Sequence, residues 1–197
     1  RDRCVNVLHN LNRAMVREIR KIGDPILRQK AKKVEKITRD TLKLLDDMVE
    51  TMRQAHGQGL AAPQVYVPKR LVLYRVAEHQ IPAGSAMKPV PWTVLINPVI
   101  TPLTEEKRPI WERCLSIPGL HGQVPRYTHI RCEATDLDGR RRSIEARGFH
   151  AMLLQHECDH LDGVLYPMRM TDLSTLSFNS ELGDHGFFVT RSPAEFD

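Results

Sequence analysis

The sequence predicts an α+β domain, with short mixed or antiparallel sheets around a central helix that carries His-Glu-x-x-His, and a further helix toward the N-terminus. Three observations predict it. Residues 38–55 and residues 149–160 each show apolar positions at helical spacing, and the chain between them has strand texture punctuated by proline and glycine.

In chain order, residues 1–14 contain basic residues but no apolar run followed by a small-residue cleavage site, so they do not read as a secretory leader. They read as an extension ahead of Met15-Val16-Arg17-Glu18-Ile19, which resembles a natural start. Leu42, Leu45, Val49 and Met52 place a helix over 38–55, capped by Thr38 or Asp40. Leu71–Val76 and Trp92–Ile96 read as strands, and residues 77–91, with Pro82, Gly84, Pro89 and Pro91, as a long loop, either a lid or an insertion. Ile117-Pro118-Gly119 reads as a turn. His129–Thr135 and Arg142–Ala146 read as a hairpin through Asp138-Gly139. Gly148 marks a helix start and Gly163 a helix end. No period is visible from Thr171. The expected organisation is one catalytic domain over 15–170, the extension 1–14 and a tail 171–197.

Composition narrows the function classes. The 197 residues are 41% hydrophobic and 27% charged, the proportions of a globular enzyme. No apolar run approaches the ~20 residues of a membrane span. Four cysteines (Cys4, Cys114, Cys132 and Cys158) are too few and too scattered for a disulfide framework, which predicts thiols in a reducing compartment. The net charge is +5, and the short run Arg140-Arg141-Arg142 reads as a solvated turn. No aromatics interleave with basic residues, so a nucleic-acid substrate is not expected.

His156-Glu157-Cys158-Asp159-His160 carries the chemistry. Histidines four apart lie one helical turn apart on the same face, so both can reach one cation, while Glu157 stands beside it and can move a proton for an attacking water. Cys158 points elsewhere and reads as packing. Such sites take three protein ligands and leave one position open. The metzincin pattern requires a further histidine where this chain has Tyr166, so that pattern fails. Glu181, 21 residues past His160, is a loose candidate for the third ligand; Cys114 within Glu112-Arg113-Cys114-Leu115-Ser116 is a better one, since a thiolate with two imidazoles suits iron, zinc, cobalt or nickel. Upstream, Gly57-Gln58-Gly59-Leu60-Ala61-Ala62-Pro63-Gln64 combines small residues, which permit close backbone approach, with an amide suited to holding an oxygen.

Gly-x-Gly-Leu-Ala-Ala-Pro-Gln, Glu-x-Cys-Leu-Ser and Gln-His-Glu-x-Asp-His, in this order, resemble the three signature motifs of the peptide deformylases, and the resemblance extends over about residues 15–170. It implies removal of the formyl group from the N-terminal formylmethionine of nascent polypeptides, with release of formate. It implies Cys114, His156 and His160 as ligands of one divalent metal, Fe²⁺ natively, replaceable by Zn²⁺, Ni²⁺ or Co²⁺. Glu157 would be the proton carrier, and Gln64 with the Leu115 backbone N–H would hold the oxyanion. Substrate would lie as a strand against Gly57–Gly59 and the backbone at Arg113, with its methionine side chain against Met152 and Leu153. Arg113 stands where the family has glycine; its guanidinium is expected over the cleft mouth, favouring acidic peptides. The family's basic ribosome-docking helix is not matched here. From Thr171 onward the chain has five acids and one arginine, so any ribosome contact is expected to be transient. A bacterial-type cytoplasm is the expected setting, with a plastid or mitochondrial origin as the alternative. Two other functions remain open: a metallopeptidase using His156, His160 and Glu181, and a catalytically silent deformylase-like binding protein.

Overall fold

The structure is a computed structural model that describes residues 14–182 and Asp197. The expected extension, Ala14 apart, and the tail over 183–196 lie outside the described residues.

Helix α1 (Arg39–Gln54) starts where the side chains of Thr38 and Thr41 each accept the other's backbone N–H, which satisfies donors that a helix start leaves orphaned. It ends at Gln54, with Ala55 as C-cap and His56 beyond it in the left-handed region at φ 51°. Its inner face buries Leu44, Leu45, Met48, Val49 and Met52.

A five-stranded sheet follows. It is built from β1 (Gly59–Ala61), β2 (Leu71–Val76), β3 (Val90–Pro102), β6 (His129–Thr135) and β7 (Arg141–Arg147), in the order β1-β2-β3-β6-β7. The intervening β4 (Lys107–Cys114) and β5 (Ile117–Tyr127) form a separate hairpin that the short β8 (Ser177–Phe178) extends. All of these strand pairs are antiparallel. Helix α2 (Gly148–Leu161) lies on the five-stranded sheet opposite α1.

Alternation in β2 explains the layering. Val72, Tyr74 and Val76 join Phe149, Leu154 and Leu161 of α2 in one core cluster, whereas Leu71 and Leu73 join Met48 and Met52 of α1 in another. With both faces covered, β2 reads as a nearly continuous apolar run. A third cluster joins Cys114, Ile117 and Val124 of the hairpin to Leu165 and Tyr166, just beyond α2.

Gly163 ends α2 as expected: its φ is 73°, and a Cβ there would lie 2.5 Å from the Arg28 carbonyl oxygen. The Asp138-Gly139 hairpin also stands as expected. Three details differ. The strand expected over Trp92–Ile96 runs to Pro102, because Asn97 takes a left-handed φ of 53° and its side chain brackets Val34, accepting from its N–H and donating to its carbonyl, both at 2.9 Å. The resulting bulge carries the strand past Pro98. Ile117-Pro118-Gly119 opens β5 instead of forming a turn, and Leu115-Ser116 makes the connection. Residues 77–91 begin with a 3-10 turn at Glu78–Gln80, and His79 to Pro82 wall the cavity described next.

Candidate metal centre

Metal-ligating atoms of Cys114, His156 and His160 lie within 4.8 Å of one another, all three residues buried. The hairpin end supplies the thiol and one face of α2 supplies the imidazoles. Cys114 Sγ is 3.3 Å from His160 Nε2, and the two imidazole rings stand edge to face with centroids 5.0 Å apart. Burial pushes the Cys114 thiol up, but His160 and His156 reverse that and hold it well below its ordinary value. This donor set, a thiolate-prone sulfur with two imidazoles, fits a first-row divalent cation.

His156 is oriented from behind. Its Nδ1 donates to Glu112 Oε2 at 2.7 Å, which leaves Nε2 free to face a cation. The ring also stacks on Tyr166, centroids 6.4 Å apart. Glu112 is itself held by Arg126, whose Nε and Nη2 reach Oε1 and Oε2 at 2.6 and 3.1 Å. The same guanidinium extends Nη1 to Asp159 Oδ2 at 2.7 Å, and Arg169 Nη2 completes Asp159 at 2.9 Å. Burial raises the Glu112 carboxyl, yet Arg126 and His156 outweigh it and hold its pKa at about 2.

Glu157 is buried beside this cluster, where burial raises its pKa to about 7. Its Oε2 has no hydrogen-bond partner among the described residues. Gly59 makes room for it: a Cβ at that position would meet Glu157 Oε1 at 2.1 Å. A Cβ at Gly57 would meet Leu115 Cδ1 at 2.9 Å and Met52 Cγ at 3.2 Å. Gly59 is therefore required by the Glu157 side chain, a role beyond the close approach of substrate expected from sequence, whereas at Gly57 only the end of the Leu115 side chain would have to move. Gln64 is fixed through Oε1, which accepts from Ala61 N–H at 2.9 Å, while Nε2 donates to Ser116 Oγ at 3.0 Å and lies 3.6 Å from Cys114 Sγ.

These groups open onto a cavity of about 760 Å³ lined by Gly57, Gly59, Gln64, Arg113, Leu115, Met152, Leu153, His156 and Glu157 among others. Every residue singled out from sequence for the deformylase-like site thus borders one cavity except His160, which joins Cys114 and His156 in the buried cluster beside it. Glu181 does not: it is exposed, and its carboxylate accepts from Ser180 Oγ. The peptidase ligand set is therefore not assembled. Cys158 packs against Cys132, as its expected packing role requires. Sequence reasoning missed Glu112, Ser116, Arg126 and Asp159 as supports. Three of them lie inside the motifs, and the signal for the fourth is chemical, since two buried carboxylates need a cation.

The polypeptide deformylase family profile matches residues 16–175. Peptide deformylase 1 of Nitrosomonas europaea is 47% identical over 85% of this chain and 95% of its own, and peptide deformylase 1 of Bordetella pertussis is 48% identical over the same shares. The crystal structure of peptide deformylase from Ehrlichia chaffeensis superposes with a TM-score of 0.73 at 34% identity, covering 81% of this chain and 90% of that one. The Thermus thermophilus peptide deformylase gives 0.69 at 42% identity, with 79% and 86% covered.

The Glu112 ion pair has an acid signature. A carboxyl held at about 2 in the fold and at 4.5 ordinarily contributes stability in full above pH about 4.5, and that contribution is lost as pH falls toward about 2. Denaturant midpoints of metal-free protein across this window should fall steeply for the wild type and less steeply for Glu112→Gln; parallel curves would contradict the assignment.

Proposed function

The chain belongs to the peptide deformylase family, metal-dependent hydrolases that remove the N-terminal formyl group, and from this premise we propose how its own residues carry out the reaction. The carrying observation is the cluster of Cys114, His156 and His160 with the unpartnered Glu157 Oε2 beside it. Those three residues would hold one divalent ion, Fe²⁺ natively with Zn²⁺, Ni²⁺ or Co²⁺ as substitutes. The ion supplies Lewis acidity, which makes hydroxide accessible near neutral pH.

Glu157 accepts the proton of the water that attacks the formyl carbon and returns it to the departing methionine nitrogen. Burial that brings its pKa near 7 suits both halves of this transfer. The Gln64 Nε2 and the Leu115 backbone N–H donate to the oxygen that gains charge, each donor worth roughly 3–4 kcal/mol in sites of this kind. Gln64 is preorganised for this by its buried bonds to Ala61 and Ser116.

The substrate is the N-terminus of a nascent formylmethionyl peptide. Strand β1 stands at one edge of the five-stranded sheet and borders the cavity, which supports an extended peptide running antiparallel along Gly57–Gly59. Met152 and Leu153 form part of an apolar wall suited to the methionine side chain. Arg113 is exposed and lines the cavity on the hairpin side, which supports its reading as a residue that favours acidic peptides, and we assign that preference to the position after methionine. No helix of the described residues is long and apolar enough to cross a membrane. Any ribosome contact is transient, and the setting is bacterial-type cytoplasm.

Protein prepared anaerobically with Fe²⁺, or with Ni²⁺, should release formate from formyl-Met-Ala-Ser. Glu157→Ala should abolish release while retaining metal, and Cys114→Ala should lose both. Metal-loaded protein without turnover would establish the silent binding protein instead. Gly59→Ala should lower kcat at least about 100-fold with full metal content, because its Cβ displaces the proton carrier; unaltered kcat would refute that packing role. Arg113→Gly should remove a preference for Asp over Asn after the methionine, and an unchanged preference would dismiss Arg113 as its source.

A further inference from the structure

Beside the catalytic cavity lies a smaller one of about 180 Å³, and the two share His56, Gly57, His79 and Gln80. Arg53 of α1, Arg75 of β2 and Trp92 of β3 line it. Each guanidinium rests within cation–π range of the indole, 5.7 Å from the ring centroid for Arg53 and 5.4 Å for Arg75. Neither arginine forms an ion pair with a carboxylate among the described residues, and no acidic residue lines the hollow. Two like charges gathered on one ring without a counter-ion leave a concave cationic site. Stacking on the indole also restricts both side chains in advance, so less rotamer freedom is lost when an anion binds.

We propose that this hollow is a subsite of the deformylase cleft that takes an acidic side chain of the substrate peptide, two or three residues beyond the formylmethionine. The inference rests on the peptide running antiparallel to β1, as set out above. In that direction the peptide leaves Glu157 at Gly59, passes Gly57 and arrives at His56, three residues earlier, in the turn that follows α1. His56 is the shared wall of the two cavities, so the exit path of the peptide leads into the arginine pair. The continuity with the cleft and the small concave shape favour a peptide carboxylate over the backbone of a nucleic acid, which needs an extended basic track.

The experiment compares C-terminally amidated formyl-Met peptides carrying a single Glu or Gln at the second, third or fourth residue. Glu is expected to raise kcat/KM about 3- to 10-fold over Gln at the third or fourth residue, mainly through KM, since two exposed ion pairs far from the reacting carbon contribute binding alone. The preference should shrink in high salt, vanish in Arg53→Gln/Arg75→Gln and persist in part in Arg53→Lys/Arg75→Lys. Calorimetric binding of the product peptides gives the same ratio without turnover. Normal formate release with no Glu preference, or a preference confined to the second residue, overturns the subsite and leaves the deformylase reading intact. Absence of formate release from every peptide overturns the deformylase reading, and the product-peptide ratio then decides the subsite alone. A double variant that weakens binding to ribosomal RNA without altering peptide selectivity also overturns the proposal.

Discussion

The buried ion cluster Glu112–Arg126–Asp159 is the constraint on which the site depends. Arg126 and Glu112 face each other across the β4–β5 hairpin, while Asp159 and His156 belong to α2. One guanidinium therefore clamps the element that brings the thiol to the element that brings the imidazoles. Desolvating three charges is expensive, and such a cluster is poor evidence for stability as such. Its value here is geometric: it sets which nitrogen of His156 faces the ligand position and the distance of Cys114 from α2. An apolar substitute of equal volume could fill the space but could not fix the tautomer.

A second constraint is steric. Glu157 is squeezed against β1 at a position where any side chain would collide with its carboxylate, and its burial there raises its pKa. Gly59 thus serves the placement of Glu157. The sheet edge, Glu157 and the Cys114–His156–His160 cluster are consequently packed together.

Legibility from sequence followed the range of the interactions. His156 and His160 were readable because one helical turn brings them together, and Cys114 and Gln64 because each lies within a compact motif. The helix over 38–55 and the hairpin at Asp138-Gly139 were equally local. The β4–β5 hairpin was not legible: Pro109, Pro118 and Pro125, with Gly119 and Gly122, break the strand pattern, yet the two strands run through them, with Pro109 opposite Pro125. Asn97 concealed the length of β3 because its left-handed turn is held by Val34, 63 residues earlier. Arg126 was invisible for the same reason, since its partners lie 14 and 33 residues away and only the fold brings them together.

The claim that the arginine clamp assembles the metal centre is tested most directly by chelator-competition affinity for Zn²⁺ in wild type, Arg126→Met, Glu112→Gln and the double variant, each shown to be folded by circular dichroism. Arg126 bonds to none of Cys114, His156 and His160, yet its loss should weaken Zn²⁺ binding about 10- to 100-fold, and the double variant should lose far less than the product of the single losses. Wild-type affinity in folded Arg126→Met, or independent and multiplicative losses, would contradict the account.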